Sequence, residues 1–189
     1  IPMMFGFFAI SSKFVPWYYG DGFDGVTPIL LATAPILIAI GLNGITGIQY
    51  LIQIGKQNVF TISVVIGAIT NVIFNSILIP FWGGVGAAIA STLAETAILI
   101  YQLKYFKEQY KISEMLRMSI KCFISAFIMF IVVKIITNFL PVGILNTCIE
   151  ILIGGIVYIV VLLILKYEFL KELTSLVINA VRGKIKCKN

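Results

Sequence analysis

Two oily runs in the middle of the chain carry side chains that could do chemistry. From 67 to 95 the sequence reads GAITNVIFNSILIPFWGGVGAAIASTLAE. Ser63, Gly67, Asn71 and Asn75 recur every fourth residue, and Ser91, Glu95 and Gln102 share one side of the run that follows. On helices, such spacing gathers each set onto a stripe. Carboxamides and hydroxyls either bridge neighbouring helices or contact a cargo or coupling ion inside the membrane. Glu95 adds a group that can take up a proton in one state and release it in another, and so is the candidate for ion coupling. Burying its charge mid-membrane costs on the order of 2.5–3.5 kcal/mol on an insertion scale, so a partner is required. Reflection through the turn near Gly83 puts Asn71 at the depth of Glu95, and Asn71 or Asn75 is the expected donor to it. Two roles stay open for the stripes: glue between helices, and contact with cargo or a coupling ion.

A second pair lies further on. Lys134 and Glu150 are equidistant from residue 142 in a later turn. In an antiparallel hairpin they reach similar depth, and an ion pair between them is expected because an unpaired charge there is costly. Thr147, Gly154 and Tyr158 lie near the Glu150 face, so a cavity wall is the alternative.

Other chemistries find little here. The chain has no histidine, which excludes His-based metal sites and catalytic bases within it. Cys122, Cys148 and Cys187 show no metal or redox spacing. Asp21 and Asp24 flank glycines in a loop, which is a solvated turn before it is a calcium site. No metal and no cofactor is implied.

The elements that must position these groups are membrane helices. Of 189 residues 60% are hydrophobic and 12% charged, about half the charge of a soluble domain. The expected fold is all-α, an integral membrane protein of about six spans. They fall at about 1–15 (truncated), 26–51, 59–80, 84–105, 118–140 and 143–165. Pro16 is expected to close the first, and Pro35 to kink or break the second. Gly41, Gly44 and Gly47, with Asn43, Thr46, Gln49 and Gln53, make the second span's far half polar and closely approachable. Residues 104–121 form a charged connector, expected as a short interfacial helix. The transmembrane lobe is thus 1–166, and 167–189 is an amphipathic helix with a basic tail. No signal peptide is recognisable, and residue 1 falls inside an apolar run, so the chain is expected to be the C-terminal part of a longer protein.

Twelve of the fourteen Lys and Arg residues lie on one side: Lys56, five in the connector and six from Lys166 onward. That places the connector and the C-terminus in the cytoplasm and assigns the net charge of +6 to topology and membrane lipid, not to nucleic acid.

PMMFGFFAISSKFVPWYYGDGF, ILIAIGLNGITGIQYLIQIGKQN and the 67–95 stretch, in that order, resemble the late helices of polysaccharide flippases. These are the lipid-linked oligosaccharide flippases of the multidrug/oligosaccharidyl-lipid/polysaccharide exporter superfamily. The resemblance covers Pro2 to Glu95. It implies a two-lobed exporter of which this chain supplies most of the second lobe, the N-terminal lobe being absent. It implies alternating access that carries undecaprenyl-diphosphate-linked repeat units to the outer leaflet for capsule or O-antigen-type polymers. A bacterial inner (plasma) membrane location follows, with the polysaccharide polymerase and assembly proteins as partners. The candidates for the cargo path are Asn43, Gln49, Asn71, Asn75, Ser91, Glu95 and Gln102. Lys13 is a snorkelling lysine before it is a phosphate contact.

The nearest rival is a cation-coupled drug or metabolite exporter of the same superfamily, which would want an aromatic, acidic cavity. A membrane enzyme of polysaccharide assembly, a polymerase or acyltransferase, would need charged outward loops, and these loops are short and nearly uncharged. A scaffold for an assembly complex is the third class, though a passive anchor has no need of polar stripes.

Overall fold

The computed structural model describes residues 1–20, 22–106 and 112–165, and the side chains of these except 106 and 112–118. Asp21, the 107–111 part of the connector and the tail expected at 167–189 lie outside the described residues. The described chain is helical throughout, with no strand. The helices are α1 (Pro2–Tyr19), α2 (Val26–Thr33), α3 (Ile36–Asn43), α4 (Gln57–Phe106), α5 (Ile112–Phe139) and α6 (Ile144–Ile164), with a π-helical segment, Gly44–Leu51, following α3. Val26–Leu51, Gln57–Tyr105, Ser119–Phe139 and Ile144–Ile164 are each long and apolar enough to cross a membrane.

α4 is a hairpin. At about 1.5 Å per residue its length is roughly twice a hydrocarbon core, and it breaks at Gly83 (φ 54°, ψ −129°). That conformation is open essentially to glycine alone. Beyond the break, Gly86 comes so close to the first limb that an added Cβ would stand 2.4 Å from the Leu78 carbonyl oxygen. Pro80 stays within the first limb. Pro35 separates α2 from α3. Pro16, expected to end α1, does not: the helix runs on to Tyr19 and the Gly20 N–H donates to the Pro16 carbonyl at 3.1 Å. Proline removes its own N–H, but its carbonyl still accepts, and membrane helices tolerate the lost bond where other groups compensate.

The helices form two groups. α5 and α6 pack on α1, while α2, α3 and the π-helical segment pack on α4, and α1 joins the groups by packing on α2. Ala9, Met129 and Val133 centre the first, with Phe5, Ile10, Phe130, Val157 and Tyr158 around them. Tyr50 and Leu51 anchor the second, against Val59, Phe60, Leu103 and Tyr105. Apolar surface gives helices no reason to associate in lipid, so close packing and interhelical hydrogen bonds hold such groups. Three of these bonds tie α1 to its neighbours. Trp17 Nε1 donates to Thr147 Oγ1 at 2.9 Å, and Lys13 Nζ donates to the carbonyls of Thr137 and Leu140 at the end of α5.

Lys13 is thus a cap: its cation meets the negative end of the α5 dipole and satisfies carbonyls that the helix leaves unpaired. Lys13→Met, which keeps the side chain's bulk, is expected to lower stability by about 1–2 kcal/mol. Thermal inactivation of the detergent-solubilised protein reads this out.

Candidate functional site

The polar stripes meet in a seam between α3 and the two limbs of α4. In the first limb, Asn75 Nδ2 donates to Asn71 Oδ1 at 2.7 Å, one turn away. Across the hairpin, Asn71 Nδ2 stands 3.5 Å from Ser91 Oγ, a long contact. One turn beyond Ser91 on the second limb is Glu95. Its partner comes from a third element: Asn43, the last residue of α3, donates through Nδ2 to Glu95 Oε2 at 2.7 Å and to the Glu95 carbonyl at 3.0 Å.

Here the sequence expectation needs correction: neither Asn71 nor Asn75 bonds Glu95. Equal depth in a hairpin does not give equal azimuth. Residues four apart share a face only within one helix, and Glu95 turns toward α3 whereas Asn71 turns toward Ser91. Asn43 belongs to the glycine-rich stretch already marked as polar, but only the break at Pro35 and the α3 packing bring its side chain to the carboxylate.

Spare capacity remains in the seam. Asn43 Oδ1 and Asn75 Oδ1 are buried without a hydrogen-bond partner among the described residues. Asn71, Asn75, Ser91, Glu95 and Asn43 are all half-buried rather than sealed in the core.

Gln102 sits elsewhere and does something else. It is completely buried. Its Oε1 accepts from Thr46 Oγ1 at 2.6 Å, and its Nε2 donates to Ser63 Oγ at 2.9 Å. Ser63 Oγ in turn donates to the Phe60 carbonyl, and the Leu42 carbonyl, 3.0 Å from Thr46 Oγ1, shares that hydroxyl's single proton with Gln102. This closed network ties the π-helical segment to both limbs of α4, and in this conformation it lines no path. Gln49, on the same π-helical segment, is exposed and joins no part of the seam. Gln102→Leu leaves two buried hydroxyls without this partner, and about 1–3 kcal/mol of stability should be lost. Transport by the protein that remains folded should be unaffected, which separates Gln102 from the seam.

The expected ion pair between Lys134 and Glu150 is absent. Glu150 is 2% exposed, and neither carboxylate oxygen has a hydrogen-bond partner among the described residues. It lies with Met129 and Val133 along a cavity against α1. Lys134 follows Val133 directly, so the helix carries its side chain about 100° around α5 and away from that face. Depth again misled, and the cavity-wall alternative for Glu150 is the one the geometry has.

No protein-family model matches the chain, and no curated protein does. Among solved structures it is similar to a lipid II flippase, MurJ, in an inward-closed conformation, with a TM-score of 0.72 and 24% sequence identity. The match covers 90% of this chain and 36% of that one, so the chain spans little more than a third of the neighbour's length. The likeness establishes the fold: an all-helical lobe arranged like the matching third of that structure.

Proposed function

We propose that this chain is part of a flippase for a lipid-linked saccharide, working by alternating access. The observation that carries the reading is the seam itself: five neutral or acidic hydrogen-bonding side chains from three helical elements, half-buried inside an otherwise oily lobe. A polar head group crossing a bilayer needs groups of this kind, because the hydrocarbon offers it none. Carboxamides and hydroxyls suit sugars, and the scarcity of fixed charge keeps binding weak enough for release. The flippase-type fold supports the same reading. The protein is read as a transporter, not an enzyme.

Within that reading Glu95 is the coupling group. Asn43 suits it because an amide can serve a carboxyl in either protonation state, donating through Nδ2 to the carboxylate and accepting through Oδ1 from the acid. Gain and loss of a proton at Glu95 would therefore change how α3 is held against α4 without breaking every contact. The Lys and Arg distribution supports a cytoplasmic connector and C-terminus, and the flippase reading goes with a bacterial inner membrane.

Two cargo classes have support. The order of motifs in Pro2 to Glu95 favours undecaprenyl-diphosphate-linked repeat units for capsule or O-antigen-type polymers, handed on to a polymerase and its assembly proteins. The structural neighbour is a lipid II flippase, which favours lipid II. Depletion of the full-length protein in its native host tests the proposal. Lipid-linked intermediates should accumulate on the cytoplasmic face and return to normal on complementation. Build-up of repeat units with loss of surface polymer selects the first cargo, and build-up of lipid II with growth arrest the second. Unchanged leaflet distribution of both, with altered resistance to cationic drugs, would replace the proposal by the exporter alternative. Intermediates that reach the outer face and stay unpolymerised would favour the enzyme.

A further inference from the structure

Outside the seam, the described residues hold another acid in a different setting, this one fully buried. A cavity of about 360 Å³ lies between α1, α5 and α6. Its walls are apolar, among them Phe7, Ile10, Met129 and Ile151, apart from one ionisable side chain, Glu150. Gly6 and Gly155 open it: a Cβ added at either meets nothing within 4 Å. Glu150 is 2% exposed, and both its oxygens lack a hydrogen-bond partner among the described residues.

A buried carboxylate without a partner is costly, and whatever occupies the space beside it gains by supplying a donor. The chemistry narrows the occupant. An anion is repelled. A metal cation needs about six oxygen ligands, and these walls carry only the one carboxylate. A plain hydrocarbon fills the volume but leaves Glu150 unpaired. An ammonium on an apolar body meets both demands, with its charge on Glu150 and its body against the aromatic and aliphatic walls. Drug-sized ligand pockets run from about 300 to 1,000 Å³. This cavity is at the low end, which fits one short chain or a small ring system rather than a two-chain lipid.

We infer that the α1–α5–α6 cavity binds a small lipophilic amine, its ammonium paired with Glu150. The site shares no residue with the seam and does not depend on the identity of any transported cargo.

Photolabelling tests it. The full-length protein in nanodiscs is exposed to dodecylamine carrying a diazirine, and in parallel to dodecanol carrying the same group, which partitions into lipid without the charge. Labelled residues are mapped by mass spectrometry. The amine should label the Gly6, Met129 and Gly154 regions at least tenfold more than the alcohol. Glu150→Gln should abolish the excess. Gly155→Leu, which keeps the carboxylate and fills the space, should abolish it too, and that variant decides the matter if Glu150→Gln does not fold. Equal labelling by amine and alcohol, an excess that survives both substitutions, or no labelling because another part of the full-length chain covers the cavity would each overturn the inference.

Discussion

Glu95→Gln in the full-length protein is expected to reduce transport at least tenfold at normal membrane abundance. The substitution is chosen because it spares the structure. Asn43 Nδ2 donates to Glu95 Oε2 at 2.7 Å, and a glutamine carbonyl can accept the same bond in the same place. The donor contact to the backbone carbonyl at 95 does not involve the side chain at all. What glutamine cannot do is gain or lose a proton. A tenfold loss is about 1.4 kcal/mol at the rate-limiting step, a modest demand on a group proposed to couple movement to an ion gradient. Asn43→Ala provides the contrast: it breaks both bonds to Glu95 and should lower stability as well as transport. Glu95→Gln with unchanged transport and normal abundance would leave Glu95 as a tie between α3 and α4 and remove it from the mechanism.

Gly86→Ala should be the most damaging small substitution in the described chain. The added methyl would lie 2.4 Å from the Leu78 carbonyl oxygen and 2.6 Å from its carbon. These are backbone atoms, so no rotamer change relieves the clash. The limbs of α4 would have to separate at their turn, and the seam is built across those limbs. Overpacking commonly costs about 1–3 kcal/mol, and a backbone clash beside a tight turn belongs at or above the top of that range. The expected result is a large fall in monodisperse protein after detergent extraction. Gly41→Ala, where an added Cβ meets nothing within 4 Å, should leave the yield near wild type. Equal yields from the two variants would contradict the hairpin geometry.

What the sequence made legible, and what it did not, divides along a physical line. Hydropathy over 20-residue windows is a property of each segment alone, so the all-helical membrane fold was readable without neighbours. The break at Pro35 and the turn near Gly83 were readable because proline and glycine act on their own backbone. Side-chain partnership is a property of two helices, and there depth served poorly. Asn71 and Glu95, like Lys134 and Glu150, were matched by distance from a turn, which fixes height but not direction around the helix. Asn43 took the place of the expected partner of Glu95, and Glu150 faces an apolar cavity in place of Lys134. Gln102 shows the converse. Its place on the stripe with Glu95 was visible, but its burial depends on Thr46 arriving from the π-helical segment, and a π-helix leaves no mark in local composition. The continuation of α1 through Pro16 was hidden for a similar reason, since tolerance of a proline depends on what surrounds the helix.

Flipping by the reconstituted full-length protein tests the central claim most directly. Proteoliposomes would carry a fluorescent undecaprenyl-diphosphate saccharide and, separately, fluorescent lipid II, and a membrane-impermeant reagent would follow arrival of each at the opposite leaflet. Protein-dependent transfer of one of them, faster under an imposed ion gradient and slowed at least tenfold by Glu95→Gln, is the expected result. Transfer of neither substrate above protein-free liposomes, by protein shown to be folded and inserted, would contradict the assignment as a lipid-linked saccharide flippase.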